Sequence, residues 1–214
     1  MLLNKNKALK LIELLNKSIK NPKTSLKYRN QFTLLTSFVL SGQCTDTNVN
    51  NVTKDIYKKY CTPKHFADLG IKKIKKMIKS IGLFNMKAKN LYNLSKILVE
   101  KYQSKVPNNF EDLINLPGVG RKTANVVLNA AFDKATIAVD THVFRVSKRL
   151  GLVPQKSKTP LEVEKILVKN LPEKVIPLAH HWLILHGRYV CLARTPKCHV
   201  CEISHFCAHF EKIK

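Results

Sequence analysis

Apolar residues recur along this chain at intervals of three and four, and hardly anywhere at intervals of two. That is the period of helices that bury one face. Ala8, Leu11, Ile12, Leu15 and Ile19 form the first stripe, which stops at Asn21-Pro22. A strongly apolar helix is expected over Gln31–Leu40. Asp46 is a candidate cap for the next, with Val49, Val52, Ile56 and Tyr60 on one face. Thr62-Pro63 opens a short helix that Gly70 ends, and Ile71, Ile74 and Ile78 mark another. Ala88, Leu91, Leu94 and Leu98 mark a longer helix ending before Pro107. Phe110–Leu116 and Arg121–Phe132 flank a Pro-Gly-Val-Gly turn. Thr136–Val139 reads as a linker ahead of a helix from Thr141 to Leu150. Thr159-Pro160-Leu161-Glu162 has capping-box spacing, and the last helix ends near His186-Gly187. The fold class is therefore all-α, with short connections and no internal repeat or flexible linker.

At 214 residues and 44% hydrophobic content the chain can build one large core or two small ones. No run approaches the roughly 18 consecutive apolar residues of a membrane span, so no membrane partner is expected. The basic N-terminal segment carries Glu13 inside its helical stripe and lacks a small-residue cleavage site. It reads as a structural helix rather than a targeting peptide.

Charge sharpens the picture. Thirty-eight basic residues against 14 acidic ones give a formal net charge of +24, which attracts polyanions, nucleic acid first among them. Only six of the basic residues are arginines. An A/T-rich genome produces the same abundance of lysine, asparagine and isoleucine, so the charge supports a nucleic-acid partner without establishing one.

Cys191, Cys198, Cys201 and Cys207 fall within one 17-residue stretch, spaced C-x6-C-x2-C-x5-C. A tight local cluster suits a metal centre in a reducing compartment better than a disulfide framework. Four thiolates can hold structural zinc or an iron–sulfur cluster, and on spacing alone both remain open. His199, His205 and His209 lie nearby as bystanders, and Cys44 and Cys61 read as ordinary buried thiols.

Leu116-Pro117-Gly118-Val119-Gly120 separates two short helices. Proline ends the first, and the glycines permit positive φ and close backbone approach. The amides of Gly118, Val119 and Gly120 then lie at the positive end of the following helix, a setting that suits a phosphate, with Arg121 and Lys122 adding charge. Many glycine-containing helical corners bind nothing, so the spacing by itself leaves DNA contact undecided.

The longer stretches LPGVGRKTANVVLN at Leu116–Asn129 and VDTHVFR at Val139–Arg145 are more specific. With Ser41-Gly42-Gln43-Cys44-Thr45-Asp46 and the terminal cysteines, in unbroken order, they resemble the endonuclease III family of the helix-hairpin-helix DNA glycosylase superfamily. The resemblance covers almost the whole chain. It implies a bifunctional DNA glycosylase and abasic-site lyase of base-excision repair that removes oxidised pyrimidines from duplex DNA and nicks the strand 3′ to the abasic site by β-elimination. It implies Lys122 as nucleophile, Asp140 as catalytic carboxylate, and a [4Fe–4S] cluster on Cys191, Cys198, Cys201 and Cys207. Gln43 and Leu83 become residues that fill the gap left by a flipped base, and Arg194 and Lys197 become phosphate contacts. Gly42 and Cys44 stand where the family usually has alanine.

The implied architecture has two helical lobes. Residues 24–134 form a six-helix bundle carrying the hairpin, and 1–23 with 135–214 form a discontinuous cluster domain. DNA is expected to lie across the cleft between them, Lys122 facing Asp140. The implied partner is double-stranded DNA with damaged bases or abasic sites, bound by a monomer at the nucleoid in a bacterial cytoplasm. The chemistry agrees with the residue types. An amine that attacks a sugar's anomeric carbon can form an imine, which water and hydroxyls cannot, so a lysine predicts strand cleavage as well as base removal. A related adenine glycosylase lacks this lysine. A silent DNA-binding module leaves Lys122 and Asp140 unexplained, and an iron–sulfur electron carrier leaves the hairpin unexplained.

Overall fold

The structure, a computed structural model, describes residues 3–19, 22 and 24–213. The described residues form α-helices, turns and two 3₁₀ turns, with no strand among them. They divide into two compact units, Thr24–Phe132 and Met1–Lys23 with Asp133–Lys214.

The continuous unit contains α2 (Gln31–Ser41), α3 (Asp46–Lys59), α4 (Pro63–Met77), α5 (Phe84–Tyr102), α6 (Phe110–Ile114) and α7 (Arg121–Phe132). Helix α2 is apolar on nearly every side and packs against α3, α5 and α7. An all-round apolar helix has to be surrounded in this way. Phe32, Leu35, Leu91, Leu94 and Val127 share its core, each worth about 1.5–3 kcal/mol in burial. Tyr57 is the polar exception. Its hydroxyl lies 2.8 Å from Thr36 Oγ1 and 2.9 Å from Ser37 Oγ, and burial pushes its pKa up to about 12.

Local chemistry sets the helix ends. The α3 cap is Thr45, whose side chain accepts from the Asn48 amide, so Asp46 is the first helical residue rather than the cap. Its carboxylate still sits where a negative charge favours the helix dipole. Gly70, at φ 70 and ψ 160, breaks α4 within one continuous stretch. The Asn21 half of the first helix's expected stop lies outside the described residues.

The discontinuous unit comprises α1 (Lys5–Ser18), α8 (Thr141–Leu150), α9 (Pro160–Asn170), α10 (Ile176–Tyr189) and a final turn of helix, α11 (Phe210–Ile213). Helix α10 packs on α8 and α1, and Trp182 Nε1 donates to the Ile19 carbonyl at 3.1 Å. It runs past the expected stop at His186-Gly187 to Tyr189. Thr159 caps α9, while Glu162 accepts from the Lys158 amide, one residue earlier than a reciprocal box requires. The segment expected as a linker is more than a connection: Ile137, Ala138 and Val139 are all buried.

Candidate active site and cluster loop

Lys122 is exposed in the first turn of α7, directly after the glycine turn. Arg121 lies beside it, its guanidinium 4.8 Å from the centre of the Phe110 ring, an arrangement that orients the cation. The two glycines of the turn differ. Gly118 has φ +81, and a Cβ there would stand 2.8 Å from Asn90 Nδ2 and 3.1 Å from Val39 Cγ1. A Cβ on Gly120 would meet nothing within 4 Å, and its φ is not positive. Gly118 is thus required by the protein's own packing, whereas the space over Gly120 is open. Val119 is buried, and its amide donates to the Leu116 carbonyl at 3.0 Å, so that amide is committed to the turn. The Gly120 carbonyl accepts the first helical bond, from Ala124 at 2.9 Å.

Asp140 is the N-cap of α8. One carboxylate oxygen accepts from the His142 and Val143 amides, each at 2.8 Å, and the other lies 3.2 Å from His142 Nδ1. The capping role read from the sequence is therefore present, and it fixes the carboxylate's rotamer. Further back, His180 Nδ1 lies 3.1 Å from the Ala138 carbonyl, anchoring the strand of chain that delivers Asp140.

Gln43 and Leu83 share an unusual feature. Both are exposed non-glycine residues in the left-handed region, at φ 56 and φ 59. That conformation costs an L-residue about 1–2 kcal/mol. The turns that carry them touch, since a Cβ on Gly82 would lie 3.7 Å from the Gln43 carbonyl. Gln103, Ser104 and Asp133 are also exposed at positive φ, so what sets this pair apart is that their two turns meet. Beneath them lies Lys87, which sequence reasoning passed over. It is 3% exposed, and its place four residues before Leu91 on the apolar stripe was the signal for it.

The four C-terminal cysteines line one cavity of about 320 Å³, its open mouth included, with Leu150, His186, Val190 and Phe210 around them. Among the described residues, no three His, Cys, Asp or Glu side chains converge on a point where one metal ion would sit. Zinc at about 2.3 Å from each sulfur would draw four thiols to within about 4 Å of one another. Four thiols from one loop around one cavity supply the donor set that an iron–sulfur cluster takes. Burial, and then repulsion from the other three sulfurs, raises the Cys201 thiol. Burial does the same for Cys207. Four such thiolates are stable together only around a cationic centre.

Sequence reasoning also missed the supports of this ring. Arg149 Nη1 lies 3.5 Å from Cys191 Sγ and donates to the Leu192 carbonyl at 2.6 Å, and Arg145 holds the Gly187 and Cys191 carbonyls. Their four-residue spacing on α8 puts both on one face, the available hint. His186, pushed down to about 4 by burial, places Nε2 3.8 Å from Cys201 Sγ. His209 lines the cavity, while His199 is exposed. Arg194 and Lys197 are exposed on the same loop.

Comparison with known proteins agrees with this anatomy. Residues 36–173 match the family described as HhH-GPD superfamily base excision DNA repair protein. Residues 191–207 match the iron-sulfur binding domain of endonuclease III. The chain is 53% identical over 201 residues to endonuclease III of Rickettsia prowazekii (strain Madrid E), covering 94% of each chain. It is 44% identical over 211 residues to that of Escherichia coli (strain K12), covering 99% of each. Among solved structures, a trapped endonuclease III–DNA covalent intermediate aligns over 99% of both chains with a TM-score of 0.90 and 42% identity. A thermostable thymine-DNA glycosylase aligns over 97% of both with a TM-score of 0.84 and 23% identity, which is a likeness of fold. No helix among the described residues is long and apolar enough to cross a membrane.

Proposed function

The chain belongs to the endonuclease III family of base-excision DNA glycosylases with abasic-site lyase activity and a [4Fe–4S] cluster, and from that premise we propose that it excises oxidised pyrimidines and cleaves the strand through a lysine Schiff base. The observation that carries this reading is the exposed Lys122 amine at the head of α7, beside the open Gly120 corner. An endonuclease III that is 42% identical has been captured as a covalent intermediate with DNA, which supports a nucleophile within the protein.

Lys122 Nζ, having shed its proton, attacks C1′ as the C1′–N bond breaks and the base leaves with the bonding electrons. The sugar ring opens to an imine between Nζ and C1′. The imine acidifies the C2′ hydrogen, and loss of that proton expels the 3′ phosphate by breaking the C3′–O bond. Water then releases the lysine. Asp140 stabilises positive charge developing on the sugar and handles protons, its rotamer fixed by the α8 amides. Gln43 and Leu83 fill the gap in the duplex, one with an amide for the widowed base and the other as an apolar wedge. Gly118 and Gly120 with Arg121 grip phosphate, and Arg194 and Lys197 add contacts from the cluster loop. The cluster, held by Cys191, Cys198, Cys201 and Cys207, supplies rigidity to that loop. The protein acts as a monomer on damaged or abasic duplex DNA of the bacterial nucleoid.

Borohydride reduction with abasic duplex DNA tests the reading. The protein is expected to become covalently joined to DNA, and Lys122→Ala to abolish the adduct while retaining the cluster. Wild-type protein with an intact cluster that never joins DNA would refute it.

A further inference from the structure

Lys87 is the most deeply buried cation among the described residues. Its Nζ donates to the Leu40 carbonyl at 2.9 Å. Burying an ammonium costs several kcal/mol, and a methionine, one atom shorter, would fill most of the space more cheaply. Retention of the charge therefore calls for a specific task at the group it touches.

That group is the end of α2. The last carbonyls of a helix lack intrahelical partners. Helix α2 has no basic residue in its last turn, and its cap Gly42, at φ −55 and ψ 115, is not left-handed. Lys87 supplies from α5 the donor and the positive charge that α2 does not provide for itself. Three residues beyond Leu40 comes Gln43, at φ 56. The Lys87 backbone amide meanwhile donates to the Leu83 carbonyl at 3.0 Å, and Leu83 is at φ 59. One residue is thus bonded through its side chain to the helix that carries Gln43, and through its backbone to Leu83. Burial lowers the Lys87 pKa, with the neighbouring Cys44 opposing it, as expected for a cation held for its bond rather than for solvation.

We propose that Lys87 is a positioning residue that locks the Gln43 and Leu83 turns together, so that both side chains enter a DNA duplex as one unit. This rests on the proposed role of those two residues in opening the duplex and adds the element that couples them. It touches neither DNA nor the reacting atoms.

Opening is needed in duplex DNA and not in a single strand, which separates this role from a general structural one. In borohydride trapping with single-stranded and duplex abasic DNA, Lys87→Met should lower the duplex rate by roughly tenfold to a hundredfold, the scale of a misplacement of about 1 Å. The single-strand rate should stay within about twofold. Lys87→Arg should recover the duplex rate in large part, and Lys87→Gln, carried in parallel, should show the same split as the methionine. Because the two turns act together, Gln43→Ala/Lys87→Met should be little worse on duplex than Gln43→Ala alone. Equal losses on both substrates, no loss on duplex, multiplicative losses in the double variant, or failure of both neutral variants to fold would each overturn the proposal. A wild-type protein that forms no adduct with either substrate would instead sink the assignment of Lys122.

Discussion

Gly118 and Gly120, with one residue between them, should respond to the same substitution in different ways. In Gly118→Ala, the residue at φ +81 must hold a left-handed conformation, at about 1–2 kcal/mol. Its methyl must also displace the Asn90 side chain from 2.8 Å and Val39 Cγ1 from 3.1 Å, which adds about 1–3 kcal/mol. The lower entropy of an unfolded alanine returns about 0.4–1 kcal/mol, leaving a net loss of about 1–5 kcal/mol. Gly120→Ala meets neither obstacle. Alanine is a poorer helix cap than glycine, but the entropy gain offsets most of that, so stability should stay within about 1 kcal/mol. Its effect should fall on DNA, because the methyl occupies the open side that a phosphate approaches. Losing one charge-assisted bond there, at about 1.5–3 kcal/mol, weakens affinity roughly tenfold to a hundredfold. Urea midpoints and fluorescence anisotropy with an abasic-analogue duplex measure the two effects. If Gly118→Ala is as stable as wild type, or if Gly120→Ala unfolds as readily as Gly118→Ala, the packing distinction is wrong. If Gly120→Ala binds with unchanged affinity, phosphate does not approach there.

Two more substitutions separate roles that share a residue or an element. Asparagine caps helices as well as aspartate, so Asp140→Asn should melt within about 0.5 kcal/mol of wild type, while Asp140→Ala loses about 1 kcal/mol. Both should slow base release by about a hundredfold or more in single-turnover assays, and an undiminished rate in Asp140→Asn would remove the carboxylate from the chemistry. Tyr57 ionises near pH 10 when unfolded and at about 12 when folded. Above pH 10 the unfolded chain gives up this proton while the folded one keeps it. Stability from Tyr57 is thus full below pH 10 and declines through pH 12, by on the order of 3 kcal/mol in all. Chemical denaturation of wild type and Tyr57→Phe across that range should show the gap between them closing, whereas parallel curves would contradict the burial argument.

The helical class was legible because core leucines and isoleucines recur at three and four, as from Ala88 to Leu98, and nothing in the tertiary structure overrides that period. Cap positions were less legible. Thr45 and Asp46 are both good N-terminal residues, and only the backbone dihedrals decide which one stands outside the helix. Thr136–Val139 looked like a connection because four residues carry no period, although Ile137 through Val139 are buried as thoroughly as a helix face. In the site, Lys122, Asp140 and the cysteines could be singled out because they stand in long, specific stretches. Lys87, Arg149 and His186 could not, since each acts through one long-range contact that local spacing does not encode. The unequal duties of Gly118 and Gly120 were hidden for the same reason, as both depend on what stands opposite them.

One unit is assembled from both ends of the chain, with 109 residues of the other unit between its parts. During synthesis Thr24–Phe132 is complete, with its own core, before α8 exists. Helix α1, made before that unit, must wait for α10 to cover its apolar stripe. Cys191, Cys198, Cys201 and Cys207 come later still, so cluster loading follows the folding of Thr24–Phe132. A chain interrupted after Phe132 would carry Lys122 on a finished bundle while lacking Asp140 and the cysteine loop, so the two halves of the proposed site are made at different times.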